Sequence, residues 1–270
     1  MKHLTLKEIQ YKEKEMLRKI IEFLEKHNIE YYVSYGTMLG VVRHKGFIPW
    51  DDDIDISMTR ENYNKLLDIA KINCNIDKEL QIQCYELGNS VYPIIKIINK
   101  NIYLYDSLEI DKNIWIDVFP LDSLPDNEKE INKFMNKTFI MSHLYMLKNF
   151  KYKEIPRTTR STKATIIKYL TKPFTVFIDK EKWMKKYIKL VTKYNNMNTK
   201  YISGVAWHRE QFNIFPKSIL ESSIYDFEDI KVKGFKDYDK YLKICYGDYM
   251  TLPPENKREM HNVKAYIKEE

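Results

Sequence analysis

The segment at 46–58, GFIPWDDDIDISM, sets four aspartates within residues 51–55 and threads Ile54 and Ile56 among and behind them. Two carboxylates about 4 Å apart repel by roughly 4 kcal/mol at an effective dielectric near 20. A solvated acidic run would carry no isoleucines at alternate positions, so the pattern points to a positive charge held among carboxylates. In an extended strand Asp53 and Asp55 share one face, about 7 Å apart, while Ile54 and Ile56 turn to the core. Asp117, inside the apolar run IWIDVFP, offers a third carboxylate if its strand neighbours that of Asp55. Three such groups suit a hard divalent cation, Mg2+ or else Mn2+.

A phosphate-binding half lies just upstream. Gly36, Gly40 and Gly46 are three of the chain's seven glycines. Gly36-Thr37 falls where a strand gives way to a helix, a place where open backbone N–H groups and the helix dipole favour phosphate. Thr37 adds a hydroxyl donor, and Arg43, His44 and Lys45 add cations ahead of the aspartates. Arg43 is a candidate for a phosphate contact or for a salt bridge to the aspartates. Lys96, a lone cation among the apolar residues of YPIIKIIN, is a candidate for the donor phosphate. An Asp-x-Asp alone is common in surface turns; its place after strand, Gly-Thr and helix, with Asp117 behind, favours phosphate–metal chemistry.

The elements that must position these groups are legible. Residues 5–27 read as a helix, with Thr5 and Glu8 forming a capping box and Ile9, Met16, Ile20, Phe23 and Leu24 an apolar stripe. A strand over 29–36, a short helix over 37–44 and a strand over 53–58 follow. Thr59 caps a helix through about residue 72. Four strands are expected between 81 and 120, then a helix over 127–150. The result is an α+β core in residues 1–125 with a mostly helical extension, residues 126–270, whose C-terminal block packs back on the core.

Bulk properties set the setting. The chain has 270 residues, 44% hydrophobic and 31% charged, enough for one large or two small domains. No run of eighteen apolar residues suggests a membrane span, and the N-terminus lacks the apolar stretch of a signal peptide, so a cytoplasmic location is expected. Cys74, Cys84 and Cys245 are not spaced as a disulfide frame or zinc site. The formal charge of +7 suggests an anionic partner.

The order strand, Gly-Thr, helix, Asp-x-Asp strand, later Asp strand is similar to the nucleotidyltransferase superfamily. The wording YGTMLGVVRHKGFIPWDDDIDISM resembles the LicD family, bacterial phosphocholine transferases related to the fukutin group. IWIDVFPLD at 114–122 and YLKICYGDYMTLPPENKREMH at 241–261 resemble that family's later blocks. The resemblance implies a nucleotidyltransferase-like mixed sheet flanked by helices. It also implies a metal-dependent transferase that takes a phospho-alcohol from a CDP-activated donor, CDP-choline foremost. The acceptor would be a sugar hydroxyl of a teichoic acid, lipopolysaccharide or capsule unit, free or lipid-linked, with CMP released. Asp53, Asp55 and Asp117 would be metal ligands, Asp117 alternatively the base, and Gly36 and Thr37 would hold the donor phosphate. Thr37 departs from the superfamily's usual Gly or Ser there.

Other residues carry weaker signals. Asp51 shares the parity of Asp53, whereas Asp52 is expected to face away. Trp50 reads as core or as a cover over the site, and His44 as structural. Arg258 and His261 would share a helical face and reach an anionic substrate, or simply cap a packed terminus. The lysine-rich, aromatic-interleaved stretch at 148–194 is either a solvated helical face or a peripheral contact with the inner face of a membrane. No motif accompanies it that would indicate nucleic acid. A nucleotidyltransferase releasing pyrophosphate is the competing activity, and a glycan-binding scaffold the non-enzymatic one.

Overall fold

The Thr5 hydroxyl accepts the Glu8 N–H at 3.3 Å while the Glu8 carboxylate accepts the Thr5 N–H at 2.9 Å. This reciprocal cap satisfies two donors at the helix start. The helix it opens, α1 (Leu6–Lys26), buries Ile9, Met16, Leu17, Ile20 and Leu24 along one stripe. The computed structural model describes residues 1–105, 112–150, 162–206, 213–255, 258 and 264–267.

Before α1 lies the short β1 (Lys2–His3), and after it β2 (Tyr32–Val33). The strand expected over 29–36 shrinks to two residues because α2 (Tyr35–His44) begins at once. Tyr35 makes this possible by adopting φ 47°, a left-handed conformation uncommon for an aromatic residue, which turns the chain sharply. At the other end of α2, Lys45 is left-handed at φ 59°. The chain folds back so closely that a Cβ on Gly40 would press into the Gly46 carbonyl.

The next elements are β3 (Ile54–Thr59) and α3 (Arg60–Ile72), the latter capped by Thr59, which accepts the Asn62 N–H at 3.4 Å. The four strands expected between 81 and 120 are three: β4 (Leu80–Gln83), β5 (Ile95–Leu104) and β6 (Asn113–Ser123). The polar run Asn99–Asn101 is an irregularity within β5, where the register with β6 shifts between Ile98 and Tyr103. The Asn99 side chain accepts the Asn101 N–H at 2.9 Å and so satisfies a donor that the shift leaves open.

Beyond residue 126 come α4 (Glu128–Asn149), α5 (Thr162–Thr171), a 3-10 helix at Lys172–Phe177, α6 (Lys180–Val191), β7 (Tyr201–Ser203), β8 (Phe215–Pro216), β9 (Ser222–Phe227), β10 (Ile230–Phe235), α7 (Tyr238–Tyr246) and β11 (Ala265–Ile267). The class is α+β, as expected. The strands after residue 126 do not stand apart. Among the described residues the sheet runs β1-β11-β5-β6-β3-β2-β10-β9, with β4 beside β5 and β7-β8 attached to β6. It is mixed: β3–β6 and β2–β10 are parallel, the other pairs antiparallel.

Strand alternation sorts the two faces. Ile54, Ile56, Ile95, Ile97, Ile116 and Val118 join the core that includes α1 and α3 side chains. Phe119 instead joins a second core with Tyr35, Tyr92 and residues of α4 and α6 such as Phe134 and Tyr187. Asp122, fully buried, pins the end of β6. It receives two hydrogen bonds from Arg60, at 2.7 and 2.6 Å, and one from Asn195 at 2.7 Å, a bidentate pairing that satisfies a buried charge. Among the described residues no helix is long and apolar enough to cross a membrane.

Candidate active site

Asp55 on β3 and Asp117 on β6 are register partners in adjacent parallel strands, and Lys96 on β5 stands opposite Asp117 on its other side. Partners in register project to the same face, so the three side chains form one row across three central strands. The flanking isoleucines and valine fill the core on the other face, so apolar and charged residues alternate there in each strand, with an acid in β3 and β6 and a lysine in β5.

Backbone contacts from α2 fix the row. The Ser34 N–H donates to the Asp55 carbonyl at 3.0 Å, and the Asp55 N–H donates to the Thr37 hydroxyl oxygen at 2.8 Å. Thr37 is buried and ties the first turn of α2 to the middle of the acidic strand. The Tyr35 N–H, inside the left-handed turn, donates to the Tyr241 hydroxyl at 3.0 Å, which brings α7 into the support.

Gly36 earns its place through Asp51. A Cβ on Gly36 would lie 2.8 Å from Asp51 Oδ2, so the missing side chain leaves room for that carboxylate against the first turn of α2. An acidic side chain thus lies beside the first turn of α2, a placement the helix dipole favours. Gln10 of α1 braces the same loop, donating to the Asp51 carbonyl at 2.7 Å and to the Ile48 carbonyl at 3.3 Å. Asp52, expected to face away, is buried, and Asp53 is half-buried just ahead of β3.

Lys96 is 2% exposed, with its ammonium 3.4 Å from Asp117 Oδ1. It lies over the Trp115 ring at 3.9 Å and the Tyr92 ring at 4.4 Å, which stabilise a cation held away from water. The Trp115 indole N–H donates to Asp117 Oδ2 at 3.0 Å. Asp117 Oδ1 has the ion pair but no hydrogen bond. Lys96 was expected at a phosphate; its neighbour here is Asp117.

Arg43 is placed elsewhere. Its guanidinium donates to the His44 ring at 3.0 Å and to the Tyr249 carbonyl at 2.8 Å, tying α2 to the segment after α7. Arg258 stacks over the half-buried Trp50, its guanidinium carbon 4.4 Å from the ring. The C-terminal block thereby reaches the residue next to Asp51. His261 lies outside the described residues.

Glu13 is the residue that sequence reasoning missed. It is 2% exposed, and its Oε2 is buried without a hydrogen-bond partner. Burial first, then the charges of Asp53, Asp52, Asp51 and Asp55, push its carboxyl well above the ordinary glutamate range. A signal existed: Glu13 lies on the same stripe as Ile9, Met16, Leu17 and Ile20, where a lone acid has no reason to be unless something faces it.

The donor set fits a divalent cation in chemistry: all-oxygen ligands, clustered negative charge, and a buried carboxylate oxygen on Asp117 that lacks a hydrogen bond. Among the described residues no three His, Cys, Asp or Glu side chains already surround a common ion position.

Similarity to known proteins makes the chain a phosphotransferase with a nucleotidyltransferase-type domain. Residues 28–161 match the family described as "LicD/FKTN/FKRP, nucleotidyltransferase domain", and the chain belongs to it. It is 29% identical over 274 residues to a protein named lipopolysaccharide cholinephosphotransferase LicD from Haemophilus influenzae, covering 99% of this chain and 100% of that one. An uncharacterized protein of Rickettsia prowazekii is 31% identical over 52% of this chain and 47% of its own length. One of Rickettsia typhi is 30% identical over 52% and 39%.

Proposed function

We propose that this protein transfers phosphocholine from CDP-choline to a sugar hydroxyl of a cell-surface glycan and releases CMP. The observation that carries the reading is the pairing of Asp55 with Asp117 across parallel strands, beside the Gly36-Thr37 turn. The full-length similarity to a lipopolysaccharide cholinephosphotransferase supports the choice of phosphocholine and of a glycan acceptor.

In this reading Asp53, Asp55 and Asp117 hold Mg2+ or Mn2+, which when bound would neutralise the donor's diphosphate and the charge developing on the leaving CMP oxygen. The first turn of α2, at Gly36 and Thr37, receives a donor phosphate. Where it serves as the base in place of a metal ligand, Asp117 accepts the proton of the acceptor hydroxyl, whose oxygen forms the new bond to phosphorus as the bond to CMP breaks. Lys96 and Trp115 hold Asp117 in the orientation this requires. The donor is met on the cytoplasmic side, and residues 1–125 act as the catalytic core.

The test is a reaction with CDP-choline, a divalent cation and an acceptor glycan, read by mass spectrometry. CMP and a phosphocholine-bearing glycan are expected, with both lost in Asp55→Asn. Pyrophosphate from a nucleoside triphosphate would instead establish the competing nucleotidyltransferase activity. A thermal-shift panel of CDP-choline, CDP-ethanolamine, CDP-ribitol and CDP-glycerol fixes the alcohol.

A further inference from the structure

Large apolar side chains concentrate on the surface in one place. Ile166 and Leu170 on α5 are 52% and 66% exposed, and Phe174, Val176 and Phe177 on the following 3-10 helix are 70%, 66% and 86% exposed. This is not a frayed end. Lys172 donates to the Leu147 and Lys148 carbonyls at 2.7 and 3.2 Å, Lys148 donates to the Val176 carbonyl at 3.2 Å, and Thr175 is buried. The backbone is fastened to the end of α4 while the apolar groups face outward. A contiguous exposed apolar patch on a folded chain marks a contact surface.

The charge around the patch narrows the partner. Lys172 has its pKa lowered by burial and then by the nearby charges of Lys148 and Lys180, so three ammonium groups gather at the 3-10 helix. Helix α6 follows at once; it buries Met184, Tyr187 and Val191 and exposes Lys180, Lys182, Lys185, Lys186 and Lys189. Asp179 and Glu181 offset only part of that charge, through Lys182 and Lys185. A second copy of the chain is a poor occupant, since a two-fold pairing of this face would set lysine against lysine. A nucleic acid would use the lysines and leave the phenylalanines in water.

We propose that α5 and the 3-10 helix are a membrane-surface contact, in which Leu170, Phe174, Val176 and Phe177 enter the headgroup–acyl boundary of an anionic bilayer and the surrounding lysines bind lipid phosphates. The contact is peripheral, because no helix among the described residues is long and apolar enough to cross a membrane. It does not rest on the transferase reading, and its test reads binding alone.

The full chain is sedimented with vesicles of equal parts phosphatidylglycerol and phosphatidylcholine, and with phosphatidylcholine alone. Binding is expected to the anionic vesicles only, and to weaken steeply as salt rises from ~0.05 M to ~0.5 M. The double variant Phe174→Ser/Phe177→Ser, whose sites are exposed and should not disturb folding, is expected to bind at least about tenfold more weakly. Lys182→Glu/Lys186→Glu should weaken binding at low salt and leave far-UV circular dichroism unchanged. Absence of vesicle binding at low salt would overturn the proposal. So would binding that ignores the phenylalanine changes, or a dimer in size-exclusion chromatography that those changes dissolve.

Discussion

Lys96 and Asp117 face each other across β5 and β6, 3.4 Å apart and both buried, with the Trp115 ring beneath the ammonium and its N–H on the carboxylate. Removing one member of a buried pair leaves the other charge uncompensated, at about 3–5 kcal/mol. Lys96→Met is therefore expected to lower the unfolding free energy from denaturant titration by that order. Lys96→Met/Asp117→Leu should recover most of the stability while remaining inactive. Equal loss in the single and double variants would show that the pair is not the source of the cost.

Gly36 and Gly40 make opposite predictions although they are four residues apart. A methyl on Gly36 meets only the end of the Asp51 side chain, which can rotate away. Gly36→Ala should change stability by under ~1 kcal/mol and cut transfer by tenfold or more, since it crowds the first turn of α2. A methyl on Gly40 meets the Gly46 backbone carbonyl. Gly40→Ala should lower the melting temperature markedly, with activity falling only as folded protein is lost.

Glu13 predicts a pH dependence for the metal-free protein. Its folded carboxyl titrates well above the unfolded one, so between the ordinary glutamate value of about 4.5 and the folded value the native state binds more protons. Stability contributed by this group is fully present at low pH and is lost as pH rises through that window. Glu13→Gln, which cannot ionise, should be more stable than the parent at neutral pH in chelator, the difference shrinking as pH approaches 4.5. A difference independent of pH would refute the assignment.

Tyr241 supports the left-handed turn from a distance in sequence. Tyr241→Phe removes the hydroxyl that accepts the Tyr35 N–H, a hydrogen bond worth about 0.5–1.5 kcal/mol. Hydrogen exchange at Tyr35 should quicken in this variant, and the packing of the ring on Phe235 and Phe215, at 4.1 and 4.9 Å, should persist.

Much of this was legible in the chain itself. The cap at Thr5, the start of α3 at Thr59 and the acidic alternation of β3 and β6 are local: each depends on neighbours within a few residues. The count of strands between 81 and 120 was not local: the chain passes Asn99–Asn101 as a register shift within β5, so two expected strands are one. Of the two contacts expected of Arg43, a phosphate or an ion pair to the aspartates, sequence order favoured neither, and its guanidinium donates to a carbonyl 206 residues away.

Local order thus set the helix and strand types, the two-faced character of the central strands and the identity of the acidic residues, since periodicity and capping act over one or two turns. Strand neighbourhood was left to tertiary structure. It decided that Asp117 pairs with Asp55, that Lys96 turns to a carboxylate, and that Glu13 lies buried near the aspartates, because which strands and helices meet depends on how the whole sheet packs.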